Sequence, residues 1–139
     1  MESRNYNSQI AKIAQKFGLS LVVQFGSSLD DSKLEHEESD IDIAFLPKNN
    51  DFTLKQLIDL QYDLAVIYGL LEDKIDLVNL KRTSSLLAYQ VATKGVALFD
   101  EDGHRFNEFY VSSLREKIDE ADLYQLQNDL LNMKVGAVW

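Results

Sequence analysis

The chain has 139 residues, no cysteine and a formal net charge of −9, with 45% hydrophobic and 27% charged residues. This length and balance predict one soluble globular domain over residues 1–139, without a disulfide framework or a thiolate metal site. The acidity argues against broad nucleic-acid binding, which needs clustered Lys and Arg, and either favours a basic protein partner or simply keeps the chain soluble.

Helical and strand patterns alternate along the chain. Apolar residues recur three and four positions apart in the helical stretches, and short apolar runs bounded by Gly or Pro indicate strands. This order predicts an α/β (α+β) fold, with a small mixed β-sheet flanked by helices and a long C-terminal helix. The predicted elements are a helix at 4–17, strands at 19–25 and 40–46, a helix from Thr53 to about Gly69, a strand at 74–80, a helix at 84–94, a strand at 96–99 and mostly helix at 104–131.

Three smaller expectations concern apolar side chains. Tyr62, Tyr68, Tyr110 and Tyr124 fall at helical spacing and are expected in the core or at an interface. The apolar tail at 135–139 either packs on its own domain or docks on a partner. The helix after Thr53 is expected to bury one apolar face, made of Leu54, Leu57, Ile58, Leu64, Ala65 and Tyr68.

No stretch approaches the ~18–20 apolar residues of a membrane span. The polar N-terminus lacks the apolar core of a signal peptide. Together with the absence of cysteine, these features predict a cytoplasmic protein that makes no membrane contact.

The strand at 40–46 begins with two aspartates, Asp40 and Asp42. Alternate residues of a strand share a face, so these carboxylates lie on one side, about 6.6 Å apart along the strand. Asp76 is the one charged residue in the apolar run from Ile75 to Val78. If the two strands are neighbours, the three carboxylates cluster, and at least one should have a raised pKa in the absence of metal.

Oxygen ligands of this kind suit Mg²⁺ or Mn²⁺, which complete their shells with water and substrate phosphate. Gly26 and Ser27 follow the first strand, where a tight turn and free amide groups can bind phosphate oxygens. Asp40, Asp42 and Asp76 are therefore the predicted metal ligands and catalytic residues. Asp76 is placed nearest the acceptor hydroxyl, where it can take its proton.

The ordered set resembles the polymerase-beta-like nucleotidyltransferase superfamily, and most of all the minimal nucleotidyltransferases (MNT), the antitoxin halves of HEPN/MNT toxin–antitoxin pairs. The resemblance covers nearly the whole chain and rests on its motifs: Phe25-Gly26-Ser27, Ser39-Asp40-Ile41-Asp42-Ile43-Ala44, the run from Ile75 to Leu80, and the stretch from Leu86 to Phe99.

The resemblance implies transfer of AMP from ATP to a tyrosine of a partner HEPN ribonuclease, which neutralises that toxin in a hetero-oligomer. It assigns the metal to Asp40, Asp42 and Asp76, and the nucleotide to Gly26, Ser27 and Ser39. The segment 28–39 departs from the family: it is long, it contains five acids, and it lacks the Arg and second Gly that many members carry. Lys33, Lys81 and Arg82 are the candidates to compensate for this loss of positive charge.

Two alternatives stay open. The chain can be a weak or inactive enzyme that neutralises its HEPN partner by binding alone, as the acidic 28–39 segment suggests. It can also be a nucleotidyltransferase for a small molecule, although 139 residues leave little room for a substrate domain.

Overall fold

The structure, a computed structural model, describes residues 2–26 and 40–136. Within them, four strands and four α-helices follow one another in the predicted order, and a short 3-10 turn, Glu72–Lys74, precedes the third strand. The strands are β1 (Leu19–Phe25), β2 (Ile41–Pro47), β3 (Ile75–Asn79) and β4 (Val96–Asp100), and the helices are α1 (Glu2–Phe17), α2 (Leu54–Tyr68), α3 (Ser85–Lys94) and α4 (Arg105–Gly136).

The strands form one mixed sheet in the order β3-β2-β1-β4. β1 pairs antiparallel with both of its neighbours, and β2 pairs parallel with β3. A parallel pair needs a crossover connection, which α2 supplies between β2 and β3. The predicted mixed sheet with flanking helices is confirmed, and so is the long C-terminal helix, which extends 32 residues.

Helices cover both faces of the sheet. Alternate residues of each strand point to opposite faces, so every strand contributes side chains to both sides. Ile43 and Phe45 of β2 belong to a core that α1 and α2 close, whereas Ala44 and Val23 belong to a second core beneath α3 and α4. Lys16 of α1 forms a 2.8 Å ion pair with Asp63 of α2. The helices therefore lie on the faces of the sheet and not at the ends of its strands.

The predicted apolar face of α2 is only partly correct. Leu64 and Ala65 are buried, but Leu54 and Ile58, which were expected beside them, are 72% and 51% exposed. Both helical stripes of α2 carry apolar residues, and periodicity alone does not tell which stripe meets the sheet. The buried stripe is the one that contains Leu60.

The start of α4 is held by Asp100, a residue that the sequence did not single out. Its carboxylate accepts hydrogen bonds from the backbone N–H groups of Gly103, Arg105 and Phe106 at 3.0–3.1 Å. Burial acts to raise the pKa of Asp100, but these bonds and one from the amide of Asp102 outweigh it and lower the pKa. Asp100 therefore works as the cap of α4.

The expectations for the 28–39 segment lie outside the described residues. The last three residues of the apolar tail do so as well, and the backbone of Val135 and Gly136 belongs to the final turn of α4. No helix in the described part of the chain is long and apolar enough to cross a bilayer.

Candidate functional site

The parallel register of β2 and β3 places Asp42 directly opposite Asp76. Residues paired in this way point to the same side of the sheet, which is the side that Ala44 shares with α3 and α4. Asp40 precedes β2 by one residue and is partly buried, like Asp42, whereas Asp76 is exposed. The structure thus pairs Asp42 with Asp76 and places Asp40 two residues before Asp42, at the end of the sheet where β2 and β3 begin.

Asp42 is the electrostatic centre of this group. Burial, the negative charges of Asp76 and Asp40, and a hydrogen bond to Asp76 raise the pKa of Asp42 to about 6. A carboxyl group with this pKa is mostly ionised at neutral pH and takes up a proton in mildly acidic solution. The predicted raised pKa is therefore found, and it belongs to the middle aspartate.

Gly26 lies against the same carboxylate. Its φ is +85°, and a Cβ added there would overlap Oδ2 of Asp42. Phe25, the preceding residue, is paired with Asp42 across β1 and β2. The sequence predicted a glycine turn for phosphate approach, but it did not reveal that this glycine also leaves room for Asp42, because cross-strand register cannot be read from one strand.

The remaining predicted nucleotide-binding residues, Ser27 and Ser39, lie outside the described residues, and so does Lys33. Gly26 is therefore the one predicted phosphate-turn residue whose position can be given. It follows β1, at the same end of the sheet as Asp40 and Asp42.

Lys81 and Arg82 do not lie beside the aspartates. They follow the far end of β3, five and six residues after Asp76. The Nζ of Lys81 donates to the carbonyl of Lys48 and to the side chain of Asn50, and Arg82 donates to the carbonyl of Asn50. Both cations hold the turn after β2, and the acidic 28–39 segment for which they were expected to compensate lies outside the described residues.

The donor set fits a hard divalent cation that shares its shell with substrate. Within residues 2–26 and 40–136, no three His, Cys, Asp or Glu side chains, the predicted set Asp40, Asp42 and Asp76 included, are placed so that they could hold a metal ion as a group of three. Mg²⁺ does not need such a group, because it usually takes one or two carboxylates and completes its octahedron with water and phosphate. The hydrogen-bonded Asp42–Asp76 pair offers those two carboxylates.

Comparison with known proteins gives a family match over most of this architecture. The family model described as polymerase beta, nucleotidyltransferase matches residues 8–104, which include all four strands and the three aspartates. A curated relative, protein adenylyltransferase MntA of Aphanizomenon flos-aquae (strain 2012/KM1/D3), is 35% identical over 72 residues. That alignment covers 48% of this chain and 48% of the relative, so the chain spans about half the length of the curated protein it matches.

Solved structures match nearly the whole chain. A chain of a toxin–antitoxin complex with AMP-PNP aligns at a TM-score of 0.66 and 26% identity, over 90% of this chain and 98% of that chain. A complex of tri-AMPylated Shewanella oneidensis HEPN toxin with MNT antitoxin aligns at a TM-score of 0.64 and 24% identity, over 93% and 98% of the two chains, which shows a shared fold. The resemblance to MNT-type antitoxins is thereby confirmed.

Proposed function

Because the chain belongs to the polymerase beta nucleotidyltransferase family, we propose that it transfers AMP from ATP to a tyrosine hydroxyl of a HEPN ribonuclease toxin and so acts as its antitoxin. The single observation that carries the proposal is the Asp42–Asp76 pair, in register on adjacent strands beside Gly26. The names of the similar proteins, a protein adenylyltransferase and toxin–antitoxin complexes with AMP-PNP or AMPylated HEPN toxin, supply the substrate and the partner.

The reaction requires the tyrosine oxygen to attack the α-phosphorus of ATP. A bond from that oxygen to phosphorus forms, the bond from the α-phosphorus to the bridging oxygen of pyrophosphate breaks, and the phenolic proton passes to a base. Mg²⁺ (or Mn²⁺), when bound by the aspartates, supplies positive charge that offsets the charge on the phosphate oxygens. We propose that AMP transfer depends on this ion.

Each side chain has a separate role that follows from its exposure. Asp42, which is partly buried, and Asp76 would hold the ion, with the partly buried Asp40 as the third predicted ligand. Asp76 is exposed, so it faces the incoming acceptor and takes its proton. Gly26, together with Ser27 and Ser39, binds the triphosphate.

The test uses labelled ATP, Mg²⁺ and a purified HEPN ribonuclease toxin as the acceptor. Wild-type chain is expected to place label on the HEPN protein, and the double variant Asp40→Ala, Asp42→Ala is expected to place none. Asp119→Asn, which removes an exposed acid of α4, is the matched control and should label like wild type. Equal labelling by the double variant would refute the proposal.

Neutralisation by binding alone is the second candidate. It is favoured by the position of Lys81 and Arg82, which donate to Asn50 and so do not supply positive charge beside the aspartates. The two candidates differ in one measurement. If binding alone neutralises the toxin, the Asp40→Ala, Asp42→Ala variant still inhibits HEPN ribonuclease activity; if AMP transfer does so, that inhibition is lost.

A further inference from the structure

The strand that carries Asp76 lies at the edge of the sheet, so among the described residues only β2 pairs with it. The N–H of Leu80, which directly follows β3, donates to the carbonyl oxygen of Phe45 in β2. Backbone groups alternate in direction along a strand, so those of Asp76 turn towards β2 and those of Ile75 turn outwards. The carbonyl group immediately before Asp76 therefore has no partner within the described sheet.

A side chain of α2 supplies that partner. Nε2 of Gln61 donates to the carbonyl oxygen of Ile75 at 2.9 Å. It also donates, at 2.7 Å, to the carbonyl oxygen of Glu72, in the 3-10 turn that leads into β3. A primary amide has two donor hydrogens, so one side chain satisfies both oxygens. Gln61 thus ties the beginning of β3 to α2.

Ile75 is also held by its side chain. That side chain is completely buried in the core that α1 and α2 close. Successive residues of a strand point to opposite faces, so the side chain of Asp76 leaves β3 on the other face, beside Asp42. Because one peptide group joins the carbonyl of Ile75 to the amide of Asp76, the orientation of this group sets the direction of the Asp76 carboxylate.

Gln61 acts on the aspartates through the backbone. α2 covers the face of the sheet opposite to the one on which Asp42 and Asp76 lie, so the link runs through the peptide group before Asp76. The hydrogen bond between the two carboxylates requires them to be placed accurately. A displacement of about 1 Å in such a group can cost about a hundredfold in rate. An edge strand, held on one side only, resists such a displacement least.

We propose that Gln61 is a positioning residue, which holds the start of β3 so that Asp76 meets Asp42 in the arrangement that cation binding and AMP transfer require. The inference rests on the proposed function, because the rate of AMP transfer is one of its two readouts. Gln61 contacts neither the nucleotide nor the acceptor. Its loss should therefore lower kcat for AMP transfer and leave the KM for the acceptor near the wild-type value.

Two variants of α2 separate positioning from simple stabilisation. Gln61→Met keeps the length of the side chain and removes both of its hydrogen bonds. The matched control is Gln56→Met, which removes the bond that Gln56 accepts from the N–H of Thr53, at the other end of the same helix. Both variants should lower the melting temperature. With a purified HEPN ribonuclease toxin as acceptor, only Gln61→Met should lower kcat, by at least about tenfold.

A second readout needs neither ATP nor a HEPN toxin. A bound cation raises the melting temperature according to its affinity for the folded chain. Added Mg²⁺ should therefore stabilise wild type and Gln56→Met equally, and Gln61→Met clearly less. Gln61→Asn, whose amide is one methylene shorter and cannot reach both oxygens, provides a milder second variant and should fall between wild type and Gln61→Met in both readouts.

The positioning role is refuted if Gln61→Met and Gln56→Met lose kcat equally, or if Gln61→Met keeps the wild-type rate and the wild-type response to Mg²⁺. Either result leaves the proposed function intact. A weaker response of Gln61→Met to Mg²⁺, in a chain whose wild type transfers no AMP, would support positioning and contradict the proposed function.

Discussion

At the scale of single residues, the carboxylates of Asp42 and Asp76 repel each other when both are ionised, and a bound cation or a proton reduces this repulsion. Asp42 is hydrogen-bonded to Asp76, and burial and the neighbouring charges raise its pKa to about 6. Like charges at this distance cost free energy when both are ionised. When both carboxylates are ionised, their repulsion therefore lowers the stability of the metal-free fold.

The first prediction concerns the repulsion between these two carboxylates. The pKa of Asp42 is raised from 3.8 to about 6, so between these values the folded chain keeps a proton that the unfolded chain loses. Stability therefore falls as the pH rises from about 4 to about 6 and stays lowered above it. Because solvent screens this partly exposed group, Asp42→Asn is expected to stabilise metal-free protein at pH 7.5 by about 1 kcal/mol at most.

Thermal melts at pH 7.5 and pH 3.5 check it. The gain of Asp42→Asn over wild type should vanish at the lower pH, and Asp119→Asn, on the exposed surface of α4, should show no such pattern. Added Mg²⁺ should raise the melting temperature of wild type more than that of Asp42→Asn. A large loss of stability at pH 7.5 would mean that Asp42 is a structural residue instead.

The second prediction separates backbone strain from crowding at Gly26. Gly26 and Gly18 both have positive φ, but an added Cβ meets Asp42 at Gly26 and nothing within 4 Å at Gly18. Gly26→Ala and Gly18→Ala should each cost about 1–2 kcal/mol of unfolding free energy, since both positions are left-handed. Only Gly26→Ala should also reduce AMP transfer, because the carboxylate of Asp42 must move.

Rates of AMP transfer at a temperature where both variants are folded provide the comparison. We expect a loss of at least about tenfold for Gly26→Ala and little change for Gly18→Ala. A wild-type rate for Gly26→Ala would show that the position of Asp42 is not critical.

At the scale of elements, the sequence predicted most boundaries within a residue or two, because Gly18, Gly26, Pro47 and Gly95 interrupt strong apolar patterns. The sequence did not show which of the two apolar stripes of α2 is buried. In α2 the stripe of Leu54 and Ile58 was expected inside and is exposed. The sheet decides which stripe is buried, and the pairing of distant strands is not encoded in local periodicity.

The third prediction belongs to the junction between β4 and α4. Asp100 accepts three backbone hydrogen bonds there, so Asp100→Ala is expected to lower the free energy of unfolding by about 1–2 kcal/mol. Because the hydrogen bonds hold its pKa below 3.8, its stabilising effect is present at neutral pH and is lost as the pH falls below about 4.

Urea unfolding at pH 7 and pH 3 measures this effect. The matched control is Asp102→Ala, whose carboxylate accepts one backbone hydrogen bond, from His104, and forms an exposed ion pair with Arg105. It should lose less stability than Asp100→Ala. Equal losses in the two variants would contradict the capping role of Asp100.

At the scale of the whole molecule, the fold class could be predicted and the three aspartates could be singled out because their signals are local: alternation within β2, and one acid in an apolar β3. Their roles as metal ligands and catalytic residues stay predictions. The exact facing of Asp42 and Asp76 could not be predicted, because it depends on the register of two parallel strands joined by α2. The single-domain organisation over residues 1–139 stays a prediction, as do the roles of Ser27 and Ser39.

The measurement that tests the central claim most directly is the intact mass of the HEPN protein after incubation with ATP, Mg²⁺ and variants of this chain. Wild type and Asp119→Asn should add the mass of AMP to a HEPN tyrosine. Asp42→Asn and Asp76→Asn should each be slower by about a hundredfold or more, although both still bind the HEPN protein. AMP addition by either variant at a rate near that of wild type would contradict the assignment of the chemistry to the Asp42–Asp76 pair.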